Sequence, residues 1–153
     1  MGVEIERKFL VTGEAWRRES SGVSLRQGYL STVPERVVRV RTQGDLAVLT
    51  IKGLSVGAKR AEFAYEIPLD DGLQLLELCK KPLIEKTRYE IEHAGLTWEV
   101  DEFHGVNEGL IVAECELESE DQPIEIPDWV GAEVTADPRY YNANLIARPF
   151  STW

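Results

Sequence analysis

The sequence has 153 residues, 43% of them hydrophobic and 29% charged, a balance that predicts a single globular domain over residues 1–153 and excludes a disordered or collagen-like chain. The 17 Lys+Arg and 27 Asp+Glu give a net charge of −10, so the overall field repels nucleic acids and anionic membranes, and we expect neither as a partner. No apolar run approaches the roughly 18 residues of a membrane span, the N-terminus is too charged for a signal peptide, and the two cysteines form no disulfide framework, which together favour a cytoplasmic protein.

Alternation of apolar and polar residues with a period of two, which is typical of β-strands, dominates the chain. Eight stretches show it: 3–11, 25–31, 36–42, 46–52, 60–69, 84–93, 96–103 and 110–118. Turn-forming residues separate them, as in Gln43-Gly44-Asp45 and Ala94-Gly95. Eight strands in a mostly antiparallel order predict a barrel or a sandwich.

Capping signals predict two or three helices between these strands. An aspartate, Asp70 or Asp71, opens a helix that ends near Pro82. An Asp-Pro pair opens another over 137–148. A third, shorter helix is expected at 14–19. We expect the helices to pack outside the sheet.

Nearly every predicted strand has one apolar face and one ionic face, because side chains at i and i+2 point the same way. A one-layer sheet with a solvated polar face explains this alternation, and that interpretation stays open. The polar positions, however, are almost all Arg, Lys, Glu or Asp, and their signs are sorted by strand. This sorting favours a sheet that closes on itself with its ionic faces inward.

A charged interior implies a ligand, because like charges in a confined space are costly unless something neutralises them. The inward faces would carry six cations: Lys8, Arg39, Arg41, Lys52, Lys86 and Arg88. They match a compact polyanion such as a chain of phosphates. Inward glutamates would repel that ligand unless a hard divalent cation, Mg²⁺ or Mn²⁺, bridges the carboxylate and phosphate oxygens. The pattern therefore predicts metal-dependent phosphoryl chemistry on a short polyphosphate.

The opening Glu4-Ile5-Glu6-Arg7-Lys8 resembles the E-x-E-x-K signature of the CYTH superfamily, the triphosphate tunnel metalloenzymes. The resemblance continues in order through Arg26-Gln27-Gly28-Tyr29-Leu30, Arg39-x-Arg41, Thr50-Ile51-Lys52, Arg60-x-Glu62-Phe63, Lys86-Thr87-Arg88-Tyr89, Asp101-x-Phe103, Glu114-x-Glu116, Glu133-Val134-Thr135, Arg139-Tyr140 and Asn142. These motifs span nearly the whole chain. The compact length looks most like the small bacterial members that hydrolyse inorganic triphosphate.

The resemblance implies an α+β fold, mainly antiparallel β: an eight-stranded closed barrel with a charged interior. It implies hydrolysis of inorganic triphosphate to pyrophosphate and phosphate, with Mg²⁺ or Mn²⁺ as the cofactor. The implied metal ligands are Glu4, Glu6, Glu116 and, beside them, Glu114. The implied substrate-binding residues are Lys8, Arg39, Arg41, Lys86, Arg88 and Tyr29. Lys52 matches a lysine that activates or orients the attacking water, and Glu62 and Asp101 are weaker candidates for lining the tunnel.

One position departs from the family pattern, which has a second acid where this chain has Ala64. The acidic contribution of that strand therefore rests on Glu62, and less on Glu66. If Lys52 is a base, neighbouring cations must lower its pKa, and activity should peak at alkaline pH.

Other functions stay open at this point. The same scaffold would serve hydrolysis of thiamine triphosphate or nucleoside triphosphates, or adenylyl cyclisation, and the cations alone would serve a non-catalytic polyphosphate binder. The apolar outer face allows a homodimer.

Overall fold

The computed structural model describes residues 2–153, which form nine β-strands, one α-helix and five short 3₁₀-helices. The strands are β1 Val3–Val11, β2 Val23–Ser31, β3 Val37–Gln43, β4 Leu46–Lys52, β5 Lys59–Ile67, β6 Lys80–His93, β7 Leu96–Phe103, β8 Ile111–Glu116 and β9 Val130–Glu133. The α-helix is α1 Leu69–Leu78. The 3₁₀-helices are Ala15–Arg18, Gly105–Asn107, Pro138–Tyr140, Asn142–Leu145 and Phe150–Thr152.

The sheet closes on itself. Its strands follow the order β5-β4-β3-β2-β6-β7-β8-β1-β9, and β1 also pairs with β5. That closing pair is antiparallel and sets Glu4 opposite Arg60. The short strand β9 pairs with the far end of β1, where Phe9 lies opposite Glu133. The predicted eight-stranded, closed, mainly antiparallel barrel is confirmed, with β9 as an addition, and closure removes the exposed edges that an open sheet would have.

Apolar elements cover much of the outside of the barrel. The helix α1 places Leu76 in one buried cluster with Val40 of β3. On the opposite arc, Trp16 of the first 3₁₀-helix contacts Tyr89, with ring centroids 5.1 Å apart. Phe9 and Trp98 pack in the same buried cluster as Trp16. The apolar faces predicted from the alternation are therefore the outer faces of the strands.

Part of the barrel interior is filled by apolar side chains rather than charges. Ile84, Phe103 and Val112 lie on the same strand faces as Lys86, Asp101 and Glu114 and form a buried cluster. Tyr140 and Leu145 of residues 134–153, which we call the C-terminal segment, join that cluster. The C-terminal segment therefore packs against apolar positions of the barrel interior.

Only one of the predicted helices is an α-helix in the described residues. The helix α1 begins after Pro68, so the predicted start at Asp70 or Asp71 is late, and those aspartates lie in its first turn. The stretch 14–19 contains a 3₁₀-helix.

The predicted helix over 137–148 is wrong. Two 3₁₀-helices take its place, and Tyr141 between them is extended, with ψ 126°. The cap itself was predicted correctly, because the Asp137 side chain accepts a hydrogen bond from the Arg139 N–H. The chain does not continue as an α-helix because Tyr140 and Asn142 are bound to barrel residues instead.

Several apolar side chains on the outer faces of β4 and β5 remain exposed. Ile51 lies opposite Phe63 in the strand pairing, and Tyr65 is more than half exposed. The homodimer stays a prediction. No helix within residues 2–153 has the length and apolar character needed to span a bilayer, and both cysteines are buried and free.

Candidate active site

A cavity of about 470 Å³ lies inside the barrel. Twelve of the thirteen site residues predicted from the sequence line it: Glu4, Glu6, Lys8, Tyr29, Arg39, Arg41, Lys52, Glu62, Lys86, Arg88, Glu114 and Glu116. The thirteenth, Asp101, is buried and pairs with two of the others. Strand alternation puts these residues inside because each occupies the inward face of its strand.

The acidic residues gather where β1 pairs with β8. Glu6 lies opposite Glu116, and Lys8 lies opposite Glu114. Burial and the neighbouring carboxylates of Glu114 and Glu4 raise the pKa of Glu6 well above its usual value. Burial also acts to raise the pKa of Glu114, but Lys8 and two further cations outweigh it and hold that pKa below its usual range. The Glu6 carboxyl therefore favours its protonated form, while the neighbouring Glu114 carboxyl is ionised.

Burial raises the pKa of Glu4 to about 7, although the Lys52 ammonium opposes the shift. The neighbouring Glu62 carboxylate acts in the same direction as burial on the Glu4 pKa. Carboxyl groups that retain protons because they are buried and close to other carboxylates are typical of a site that can exchange those protons for a cation.

This donor set fits a hard divalent ion, because it consists of carboxylate oxygens in a cavity where their negative charges repel one another. Within residues 2–153, no three His, Cys, Asp or Glu side chains converge on one point at ligand distances. In this arrangement Lys52 and Lys8 form ion pairs with Glu4 and Glu114, at 3.1 and 3.5 Å.

Asp101 holds two cations in place. Arg88 donates Nε and Nη2 to its two oxygens at 2.8 and 2.9 Å, and Lys86 Nζ lies 2.8 Å from Oδ2. Burial lowers the pKa of Lys86 to about 7, with Arg88 and Arg41 acting in the same direction and Asp101 opposing them. The charge of Lys86 is therefore sensitive to an anion entering the cavity.

The two arginines of β3 are bound to neutral oxygens. Arg39 donates to Thr50 Oγ1 at 3.4 Å, and its buried Nε has no hydrogen-bond partner among the described residues. Arg41 donates to Gln27 Oε1. Burial lowers the pKa of Arg41 to about 9, and the charges of Arg39 and Arg88 add to that shift. These guanidinium groups can therefore form stronger, charge-assisted hydrogen bonds when an anion binds.

Four further residues belong to this site that the sequence did not single out. Glu99 accepts a hydrogen bond from Arg88 at 3.2 Å, and Arg60 lines the cavity. Both occupy ionic strand faces, and this position was the feature of the sequence from which they could have been predicted. Gln27 and Asn142 stand within the family motifs, but nothing in their spacing indicated a chemical role. On the fifth strand, Glu62 lines the cavity and Glu66 does not.

The CYTH domain model matches residues 2–150 of this chain. The chain is 50% identical to an inorganic triphosphatase of Acetivibrio thermocellus over 100% of its own length and 99% of that protein. It is 38% identical to an inorganic triphosphatase of Nitrosomonas europaea, covering 93% of this chain and 95% of that one. The crystal structure of an inorganic triphosphatase superposes with a TM-score of 0.67 at 36% identity, over 93% of this chain and 96% of that chain. With a family match over nearly all of its length and a barrel cavity lined by the motif residues, this chain belongs to the CYTH domain family.

Proposed function

We propose that this protein is an inorganic triphosphatase, a hydrolase that converts triphosphate and water to pyrophosphate and phosphate. One observation supports this most directly: a single cavity inside the barrel is lined both by cations and by glutamates, namely Lys8, Arg39, Arg41, Lys86 and Arg88 with Glu4, Glu6, Glu114 and Glu116. Both curated relatives are described as inorganic triphosphatases, and they match this chain over at least 93% of its length. Membership of the family implies a divalent metal.

The cationic side chains bind the substrate in two ways, according to their geometry. The guanidinium groups of Arg39, Arg41 and Arg88 present forked donors that suit two oxygens of one phosphate. Lys8 and Lys86 act as point charges. Because Asp101 fixes Arg88 and Lys86 before any ligand arrives, part of the ordering entropy is already lost in the empty protein.

Glu4, Glu6, Glu114 and Glu116 are the residues that would hold the divalent ion, which we propose is Mg²⁺ or Mn²⁺. When bound, that ion supplies positive charge that neutralises phosphate oxygens as negative charge shifts toward the leaving group.

We propose that Lys52 orients the attacking water. Its Nζ lies 3.1 Å from Glu4 and 3.2 Å from Glu62. An ammonium group beside two carboxylates can donate a hydrogen bond to the water oxygen. The alternative role for Lys52 is that of a base.

In the reaction, the water oxygen bonds to a terminal phosphorus as the bond from that phosphorus to the bridging oxygen breaks. Pyrophosphate leaves with the electron pair of that bond, one water proton passes to solvent, and the other stays on the phosphate. Little covalent help is needed for such a transfer, so positioning and charge neutralisation account for the catalysis.

Phosphate release from triphosphate in Mg²⁺, Mn²⁺ or chelator tests the proposal, with Glu6→Gln as the site variant. We expect metal-dependent turnover that falls at least about 100-fold in Glu6→Gln, because that variant removes a carboxylate from the metal-binding set. Glu118→Gln is the matched control, since Glu118 is an exposed glutamate outside the cavity. Turnover that persists in chelator, or that survives Glu6→Gln, would reject the metal-dependent mechanism.

A further inference from the structure

Two uncharged amide side chains link cations that stand on different strands. Arg41 of β3 donates Nε and Nη2 to Gln27 Oε1 at 3.0 and 2.8 Å. Gln27 of β2 donates Nε2 to Asn142 Oδ1 at 2.9 Å. Lys86 of β6 donates Nζ to the same Asn142 Oδ1, also at 2.9 Å. A continuous chain of hydrogen bonds therefore runs from Arg41 to Lys86 through the two amides.

The donors at the two ends determine the direction of this chain. Arginine guanidinium and lysine ammonium groups can only donate hydrogen bonds, so both amide oxygens face them. The Gln27 amino group is then free to donate to the Asn142 oxygen, which accepts twice. Every bond in the chain is consistent with the others, and a flip of either amide would set a donor against a donor.

The two side chains that link the cations are amides, although carboxylates could also accept these hydrogen bonds. Gln27 is fully buried, and Asn142 lines the cavity. Asp101 already offsets part of the positive charge at Lys86 and Arg88, and a carboxylate at position 27 or 142 would offset more of the charge that an anionic ligand needs. A neutral acceptor holds Arg41 and Lys86 in place without removing further positive charge.

The C-terminal segment makes a second contact with the cations. Lys8 Nζ of β1 donates to the Tyr140 carbonyl oxygen at 3.1 Å. Together with Asn142, this carbonyl connects the segment to cations of β1 and β6 directly and to β3 through Gln27.

We propose that Asn142 is a positioning residue, which together with Gln27 sets the separation of Arg41 and Lys86 that triphosphate binding requires. This inference rests on the proposed function and deepens it. The C-terminal segment thus has a part in binding as well as in packing, and its departure from an α-helix places the Asn142 oxygen between its two donors.

The test compares Asn142→Ala, Gln27→Ala and the double variant. We expect kcat/KM for triphosphate and the metal-free affinity for triphosphate, measured by calorimetry, each to fall about tenfold in both single variants. Because the two amides act in one chain, the double variant should lose little more than the worse single variant.

Asn107→Ala is the matched control. Asn107 is a buried asparagine that, like the half-buried Asn142, holds the C-terminal segment, since its Oδ1 accepts a hydrogen bond from the Phe150 N–H at 2.9 Å. We expect this variant to lower the melting temperature and to leave kcat/KM within about threefold of the unaltered protein, because it contacts none of these cations. An equal loss of kcat/KM in Asn107→Ala would show that docking of the segment matters and that the amide chain does not.

Asn142→Asp covers the case in which Asn142→Ala does not fold, because it keeps the shape and the acceptor oxygens. Its added negative charge should lower metal-free triphosphate affinity at least about tenfold at low salt. Unchanged affinity and kcat/KM in the Asn142 variants would overturn the inference and leave the proposed function intact. Absence of triphosphate turnover in the unaltered protein would instead reject the proposed function.

Discussion

Lys52 lies between two carboxylates. Substitutions that keep or remove its charge distinguish its two candidate roles, a charged donor that orients water and a base. If it orients water as a charged donor, Lys52→Arg keeps the charge and the ion pairs with Glu4 and Glu62. We then expect Lys52→Arg to retain kcat within about tenfold, and Lys52→Met to lose at least about 100-fold. Steady-state kinetics at saturating metal distinguish the two variants. A Lys52→Arg protein as inactive as Lys52→Met would favour the base.

Lys86 should take up a proton when triphosphate binds. Burial lowers its pKa to about 7, so at pH 8 the side chain is mostly neutral in the empty cavity. An anion beside it favours the ammonium form and raises that pKa. We therefore expect up to about one more proton to be taken up on binding at pH 8 than at pH 6, where the group is already charged.

Calorimetry of metal-free binding in two buffers of different ionisation enthalpy measures this uptake. Triphosphate exchanges protons of its own, so the informative quantity is the difference between the unaltered protein and Lys86→Met. An identical proton count in the two proteins at pH 8 would contradict the assignment to Lys86.

The cations and acids of the candidate site could be predicted residue by residue, because strand alternation and the family motifs both indicate which charged residues face inward. Gln27 and Asn142 could not, since an amide gains its role only when the fold brings a cation to each side of it. Asp101 illustrates the same limit. The alternation placed it on the inward face, but only the structure shows that it pairs with Lys86 and Arg88 and does not line the cavity.

Among the elements, α1 contains a glycine at a point of close approach to the barrel. A Cβ on Gly72 would lie 2.5 Å from the Ala47 Cβ of β4. In most helix interiors, replacing glycine with alanine is stabilising. Here we expect Gly72→Ala to destabilise the protein by about 1–3 kcal/mol, because the helix must move off the sheet.

Urea unfolding of Gly72→Ala measures this cost, with Gln74→Ala as a control on the exposed side of the same helix. Gln74→Ala should be neutral within about 0.5 kcal/mol. A Gly72→Ala protein more stable than the unaltered one would contradict the close packing of α1 on β4.

Elements whose structure follows from local sequence were predicted well. The bounds of β1, β4 and β7 agree with their alternating stretches, because each strand buries one face and exposes the other to the cavity. The C-terminal segment was mispredicted because its fold depends on distant partners: Tyr140 and Asn142 bind lysines that are more than 50 residues away in sequence. The four-residue strand β9 is too short for its alternation to stand out.

The molecule as a whole has a net charge of −10, yet several cationic side chains are brought together in its cavity. Repulsion among those cations lowers the stability of the empty protein, and a bound polyanion relieves it. We expect sodium triphosphate to raise the melting temperature of the metal-free protein more than pyrophosphate does at equal ionic strength. Arg39→Leu should reduce that difference. Equal shifts from both anions would mean that the cavity does not distinguish a chain of three phosphates from a chain of two.

The central claim, that inorganic triphosphate is the substrate, is tested most directly by kcat/KM for triphosphate, ATP and thiamine triphosphate, measured in parallel with saturating Mg²⁺ or Mn²⁺. We predict the highest value for inorganic triphosphate, with pyrophosphate and phosphate as the products in equal amounts. A higher value for either organic triphosphate would keep the cavity as a phosphoryl-transfer site and contradict the assigned substrate. No turnover of any of the three, together with tight binding of triphosphate, would show that the cavity is a receptor and that the protein is not a hydrolase.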